Sequence, residues 1–273
     1  MYCVILEGGG VKGVAHVGAI NAMTNYQRVT HVSGSSAGSQ VAALIAAGFT
    51  PGEMKDIIWN LPLQKFMDSS WGYFRNIYRL MTKFGYCSGK FMEQYVDDIL
   101  AKKTGTPGIT FSQLYNLTHM HLKITATCLN DGNLRWFDHE KTPDMPVSKA
   151  VRISSSFPIA FTPVTWKGET FIDGGCLRNL PVNAFPGIPG IALDLDQKQT
   201  REWSLSFTGF VGRIIDVIVN AANRTHYNPL VKTIKIDTGT VETLDFGLGE
   251  EQKELLYDSG YNAIAKHESV SRT

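Results

Sequence analysis

What this sequence lacks narrows it first. No apolar run approaches the roughly 20 residues that a membrane-spanning helix needs, and the stretch Val41–Phe49 falls far short. The N-terminus, Met-Tyr-Cys-Val-Ile-Leu-Glu, has neither the basic start nor the long apolar segment of a secretory leader. A soluble, cytoplasmic chain with at most peripheral membrane contact is expected. Neither sign of charge dominates: 26 Lys and Arg against 25 Asp and Glu leave a formal net charge of +1. No overall field therefore draws in nucleic acid or another polyanion. Cysteine is scarce, and Cys3, Cys87, Cys128 and Cys176 are too far apart for a C-x-x-C zinc or redox motif. Cys3 and Cys128 sit in apolar strand-like runs, where a reduced buried thiol is the default, and this fits a reducing compartment. Repeats, low-complexity tracts and charge blocks are also missing.

What remains is ordinary globular composition: 273 residues, 43% hydrophobic and 19% charged. The simplest division is one α/β domain over residues 1–273 with an aromatic-rich helical insert or cap around 59–120. Tyr2–Leu6 reads as a buried parallel strand. Val14–Tyr26 reads as a helix, Val29–Ser33 as a second strand and Ser39–Ala47 as a buried helix. This is the start of a parallel α/β sheet. Thr50-Pro51-Gly52-Glu53 has the form of a capped helix start. Further on, strands are expected at Leu122–Asn130 and Asn133–Asp138 around an Asp131-Gly132 turn. A helix is expected at Pro146–Ser155, and a hairpin from Phe161–Trp166 and Glu169–Ile172. Strands at Ile188–Leu195 and Val231–Ile236 alternate with helices at Phe207–Asn223 and Glu250–His267.

Gly34-Ser35-Ser36-Ala37-Gly38 carries the clearest chemistry. It matches G-x-S-x-G between a strand and a helix, the context a nucleophile elbow requires. A serine at the apex of so sharp a turn is strained, and side chains at Gly34 and Gly38 would clash with strand and helix. The helix that follows offers its positive end to charge developing on the reacting oxygen. Ser33, Ser35 and Ser39 are rival serines, and only the pattern selects Ser36.

Gly8-Gly9-Gly10-Val11-Lys12-Gly13 fits G-x-G-x-x-G, the dinucleotide fingerprint. That reading expects an acidic residue about twenty positions on, and none lies between Gly13 and Glu53. A phosphate-binding P-loop fails too, because Lys12 precedes the last glycine. Consecutive glycines whose N–H groups converge on one point suit an oxyanion hole instead. Lys12 either adds positive charge there or is a solvated or anchoring lysine.

A serine hydroxyl needs a base. None of the seven histidines (His16, His31, His119, His121, His139, His226, His267) has a supporting motif. Asp173, in Asp173-Gly174-Gly175 after an apolar strand, is the competing candidate. By itself it reads better as a turn aspartate bonded to backbone amides.

Taken together, Gly8–Gly13, Gly34–Gly38 and Asp173–Gly175 resemble, in order and spacing, the three signatures of the patatin-like phospholipase family. Ala150–Pro158 is similar to the family's segment between nucleophile and aspartate. The resemblance covers residues 2–186 well and the C-terminal third loosely. It implies a three-layer fold with a mainly parallel sheet flanked by helices. It also implies a Ser–Asp dyad acting on acyl esters of glycerolipids without histidine, metal or cofactor. Carried over by position, Ser36 is the nucleophile, Asp173 the base, and Gly9, Gly10 and Val11 the backbone that binds the oxyanion. Lys12 falls at the family's basic position.

The segment Trp59–Tyr95 interleaves aromatic and basic residues, which suits either a peripheral membrane contact or a cap with its own core. Two other functions compete. A Ser–His–Asp esterase of the α/β-hydrolase type would use His226 or His267. A lipid-binding module would carry the site without turnover.

Overall fold

The computed structural model describes residues 1–67, 73–196, 207–223 and 227–270. The chain opens with β1 (Cys3–Leu6), α1 (Val14–Ala22), β2 (His31–Gly34), α2 (Ala37–Ala46) and α3 (Pro51–Trp59). The segment expected as an insert follows, with α4 (Tyr73–Lys83), β3 (Gly85–Cys87), α5 (Lys90–Thr104) and α6 (Phe111–Thr118). Next come β4 (His121–Cys128), β5 (Leu134–Phe137), α7 (Val147–Ser154), β6 (Ile159–Phe161), β7 (Val164–Trp166), β8 (Glu169–Asp173) and α8 (Gly175–Arg178). The last elements are β9 (Gly190–Asp196), α9 (Phe207–Asn223), β10 (Val231–Asp237) and α10 (Glu250–Val270).

Among the described residues one sheet has the order β10-β9-β1-β2-β4-β8-β7, with β5 also on β4. The pairs from β10 to β4 are parallel, and β5, β8 and β7 join antiparallel. β1 shows why the fold has three layers. Val4 and Leu6 enter the large core beneath α1, α2 and α10. Cys3 and Ile5, on the opposite face, pack with Leu180, Val182 and Phe185. A strand buried on both faces must be apolar throughout, as β1 is. β1 is also where the connections reverse, leading to β2 on one side while β9 returns on the other. Ligands of open α/β sheets bind outside the carboxyl ends of the strands at such a switch point.

Thr50 caps α3 as expected: its N–H donates to Glu53 Oε2 (2.7 Å) and Glu53 N–H donates to its Oγ1 (3.3 Å). The helix expected over Val14–Tyr26 ends at Ala22, because Thr24 gives its N–H and hydroxyl to Glu268 of α10. α1 and α10 approach so closely that a Cβ at Gly18 would strike the Tyr257 carbonyl, and one at Gly260 the Ala15 carbonyl. The C-terminal helix thus braces the helix that carries the glycine loop. Among the described residues no helix is long and apolar enough to cross a membrane.

Candidate active site

The turn from β2 into α2 sets Ser36 at φ 48° and ψ −123°, a conformation that costs a non-glycine residue on the order of 1–3 kcal/mol. The surroundings enforce it. A Cβ on Gly34 would run into the Gly38 carbonyl, and one on Gly38 into the carbonyls of Leu6 and Glu7. The Ser36 N–H donates to Ser154 Oγ of α7 at 3.0 Å. Burial now separates the serines: Ser33, Ser35 and Ser39 are each 0% exposed, whereas Ser36 is half-buried and lines a cavity.

The glycine loop lies across the carboxyl end of β1. Of its amides, Gly8 donates to the Asn179 carbonyl, Val11 to that of Thr243 and Lys12 to that of Gly9. Gly13 closes the single 3-10 turn that begins at Gly10. Gly9 and Gly10 are left with amides that have no acceptor among the described residues, as does Ala37 at the first position of α2. Gly10 has φ +57°, and a Cβ there would collide with the Thr243 carbonyl. The Lys12 side chain is buried within the same turn.

Asp173 ends β8, facing Ala126 of β4. Its backbone is pinned on both sides: its N–H donates to the Ser156 carbonyl (3.0 Å), and its carbonyl accepts from Thr127 Oγ1 (2.9 Å). The carboxyl is 1% exposed. Oδ1 accepts the Gly175 N–H at 2.7 Å, whereas Oδ2 has no well-formed hydrogen bond. Burial pushes this acid up from an ordinary 3.8 to about 7, against the lowering effect of the Gly175 amide and the Ser36 hydroxyl. The hydroxyl is thus near enough to influence the carboxyl while the pair stays outside strict hydrogen-bond geometry. Slack of this kind is common in unliganded sites.

Ser36, Asp173 and residues 8–13 line one cavity of about 380 Å³. Its other wall is apolar, with Leu44, Ile57, Leu61, Phe66, Tyr95 and Phe161. The insert's aromatics divide. Phe66, Phe91 and Tyr95 pack edge to face or stacked at 5.5–5.9 Å between centroids, and Trp59 meets Tyr257 at 5.3 Å. Tyr78, Met81 and Phe84, by contrast, are 67%, 76% and 71% exposed. Trp71 lies outside the described residues.

The sequence profile of the patatin-like phospholipase family matches residues 4–186. The chain belongs to that family. "Uncharacterized protein R571" of Acanthamoeba polyphaga mimivirus is 30% identical over 95% of this chain and 91% of its own length. "Probable lipid hydrolase 463L" of Invertebrate iridescent virus 6 is 25% identical over 75% of this chain and 69% of its own. In fold, VipD from Legionella pneumophila superposes with a TM-score of 0.65 at 22% identity, covering 97% of this chain. This patatin-like chain spans 66% of the VipD chain.

Among the described residues no histidine lines the cavity. His31 and His121, which open β2 and β4, stack at 4.3 Å, and His139 lies 5.1 Å from His121 while stacking on Tyr115. His139 thus sits in an aromatic cluster with Tyr115 and His121. His16 is fully buried, with Nε2 donating to the Glu7 carbonyl, and burial lowers it to about 4. Burial, and after it the charge of Lys232 near the start of β10, lower His267. His226 lies outside the described residues. Among the described residues no group of three or more His, Cys, Asp or Glu is arranged to hold a metal ion.

Three polar residues at this site received no individual role from the sequence: Asn179, and Arg152 and Ser154 within the Ala150–Pro158 segment. Arg152 is 2% exposed and donates to the Ser88 carbonyl (2.6 Å), the Thr162 carbonyl (2.9 Å) and Ser156 Oγ, tying the insert to the segment before Asp173. The Arg152-Ile153-Ser154-Ser155-Ser156 run held the signal, a charge followed by three hydroxyls where α7 ends.

Proposed function

We propose that the chain, acting as one catalytic unit over its full length, hydrolyses carboxylic ester bonds of glycerolipids, as a phospholipase A or lysophospholipase does. Ser36 Oγ attacks the ester carbonyl as its proton passes to Asp173 Oδ2. The amides of Gly9 and Gly10, with Ala37, receive the negative charge that develops on the carbonyl oxygen. The tetrahedral intermediate collapses, the alcohol leaves with the proton held by Asp173, and an acyl-Ser36 ester remains. Water, deprotonated by Asp173, then releases the fatty acid. The observation that carries this reading is a single cavity bounded by a half-buried strained serine, a buried carboxyl with a free oxygen, and unpaired amides.

An acid of ordinary pKa would be a poor base. One titrating near neutrality is matched to the task. The cavity's about 380 Å³ is near the low end of the roughly 300–1,000 Å³ typical of ligand pockets, which suits one acyl chain. Each methylene buried on the apolar wall contributes about 0.8 kcal/mol, roughly fourfold in affinity. Turnover of defined lipids by wild type, Ser36→Ala and Asp173→Asn tests the assignment. Loss in both variants is expected, and activity retained in both contradicts it.

The lipid surface is proposed to meet α4. Tyr78, Met81 and Phe84 are exposed at intervals of three, and no acidic residue occurs from Ser69 to Met92, where Arg75, Arg79, Lys83 and Lys90 occur. The exposed rings of Tyr78 and Phe84 and the exposed Lys83 and Lys90 on one segment match an anionic interface. Met81→Asp and Phe84→Asp should weaken co-sedimentation with anionic vesicles and leave hydrolysis of a soluble short-chain ester unchanged. Undiminished vesicle binding refutes this surface.

A further inference from the structure

Asn179 follows α8 and is 1% exposed. Its Nδ2 donates to Glu7 Oε1 and to the Gly8 carbonyl, both at 2.9 Å, and its own carbonyl accepts the Gly8 N–H at 3.2 Å. Glu7, 3% exposed, uses its other oxygen to accept the Leu195 N–H at 2.5 Å, which ties β1 to β9. Asn179 also abuts the turn that holds the carboxyl: a Cβ on Gly175 would stand 2.6 Å from Asn179 Oδ1, and the Gly175 N–H is the one bonded to Asp173 Oδ1. One asparagine therefore touches the loop and the aspartate turn together.

The geometry of the peptide bond gives this contact a consequence. The Gly8 carbonyl and the Gly9 N–H belong to one planar trans unit and point in opposite directions. Holding the carbonyl on Asn179 Nδ2 fixes that plane and so aims the Gly9 N–H. At a glycine pair few other forces do so, since neither residue has a side chain to restrict rotation. We infer that Asn179, held in place by Glu7, is a positioning residue that orients the Gly9 amide and sets its distance from the Asp173 carboxyl.

This inference rests on the Ser36–Asp173 reading, so the test separates the two. Active sites of the full chain are titrated with a fluorophosphonate, and kcat per titrated site and KM are measured on a soluble short-chain ester. Asn179→Ala should lower kcat per site about 10–100-fold, as displaced oxyanion donors and small misplacements do. KM should stay within about threefold, because only the transition state loses a contact. Asn179→Asp should lose more, since a carboxylate cannot donate to the Gly8 carbonyl and faces Glu7. A structural role alone would reduce the number of titratable sites and leave kcat per site at the wild-type value, and that result overturns the proposal. Should Asn179→Ala fail to fold, Glu7→Gln is judged by the same criterion. Ser36→Ala is run alongside, and wild-type turnover in that variant would instead sink the underlying dyad reading.

Discussion

At the carboxyl ends of β1 and β2 the backbone turns sharply into helices and leaves a hydroxyl, and amides unpaired among the described residues, around a cavity. The Asp173 carboxyl joins that cavity from the end of β8. At the amino ends of β2 and β4, only a strand's length away, His31 and His121 lie face to face among Tyr115, His139 and Phe185. Burial acts on both poles through the same cause, disfavouring the charged form. Its results are opposite. It lowers His31 to about 4, so that imidazole is neutral and unresponsive near pH 7. It raises Asp173 to about 7, so that carboxyl changes charge there. The comparison teaches that burial keeps the imidazole, the usual base by type, uncharged near pH 7, while it brings the titration of the carboxyl into that range.

The largest effect that would break this contrast comes from the proposed nucleophile. Ser36→Ala should lower kcat by roughly 10⁴-fold or more, as loss of a hydrolase nucleophile does, measured against a soluble ester. Asp173→Asn should cost about 10²–10⁴-fold, the scale of a general base, and its stability should move the other way. The folded carboxyl titrates near 7 and the unfolded one near 3.8. The folded state therefore binds the extra proton between those values, and stability falls as pH rises through that window. Asparagine escapes this loss. The variant should be more stable than wild type at pH 8 by on the order of 2–4 kcal/mol, and no more stable near pH 3. Thermal melts at the two pH values check the sign.

Smaller effects sharpen the contrast. Ser154→Ala strands the Ser36 N–H at the elbow. An unpaired buried amide costs about 1–3 kcal/mol, and if that destabilises the catalytic turn, kcat falls about tenfold. Steady-state kinetics with a melting curve measures both consequences. The smallest change belongs to the opposite pole. His31→Phe and His121→Phe should leave kcat within about twofold, since neither ring reaches the cavity and volume-conserving aromatic swaps cost little. A large loss of turnover in either would erase the distinction between the two ends.

The elements nearest the site were legible because their requirements are local. Gly34 and Gly38 flank Ser36 within one turn, and Thr50 and Glu53 cap α3 across three residues. The family resemblance rested on such stretches, and it led to Asp173, which local physics alone had read as a structural turn residue. Contacts between distant stretches left no such mark. Asn179 meets Gly8 across 171 positions, and Ser154 meets Ser36 across 118. Nor does periodicity report tertiary competition: α1 stops at Ala22 because Thr24 turns to Glu268. The insert is legible as helical, aromatic and basic, whereas the capping box that Thr110 and Gln113 form on α6 is found only in the structure. Whether an aromatic there faces its own core, as Phe66 does, or solvent, as Phe84 does, depends on neighbours that the sequence does not place together.

The most direct measurement is the pH dependence of fluorophosphonate labelling at Ser36, followed by mass spectrometry in wild type, Asp173→Asn and His267→Ala. Labelling should rise with a midpoint near pH 7 in wild type, persist in His267→Ala, and become slow and flat in Asp173→Asn. Unchanged labelling without the carboxyl at position 173, or its collapse when an imidazole is removed, would contradict the account.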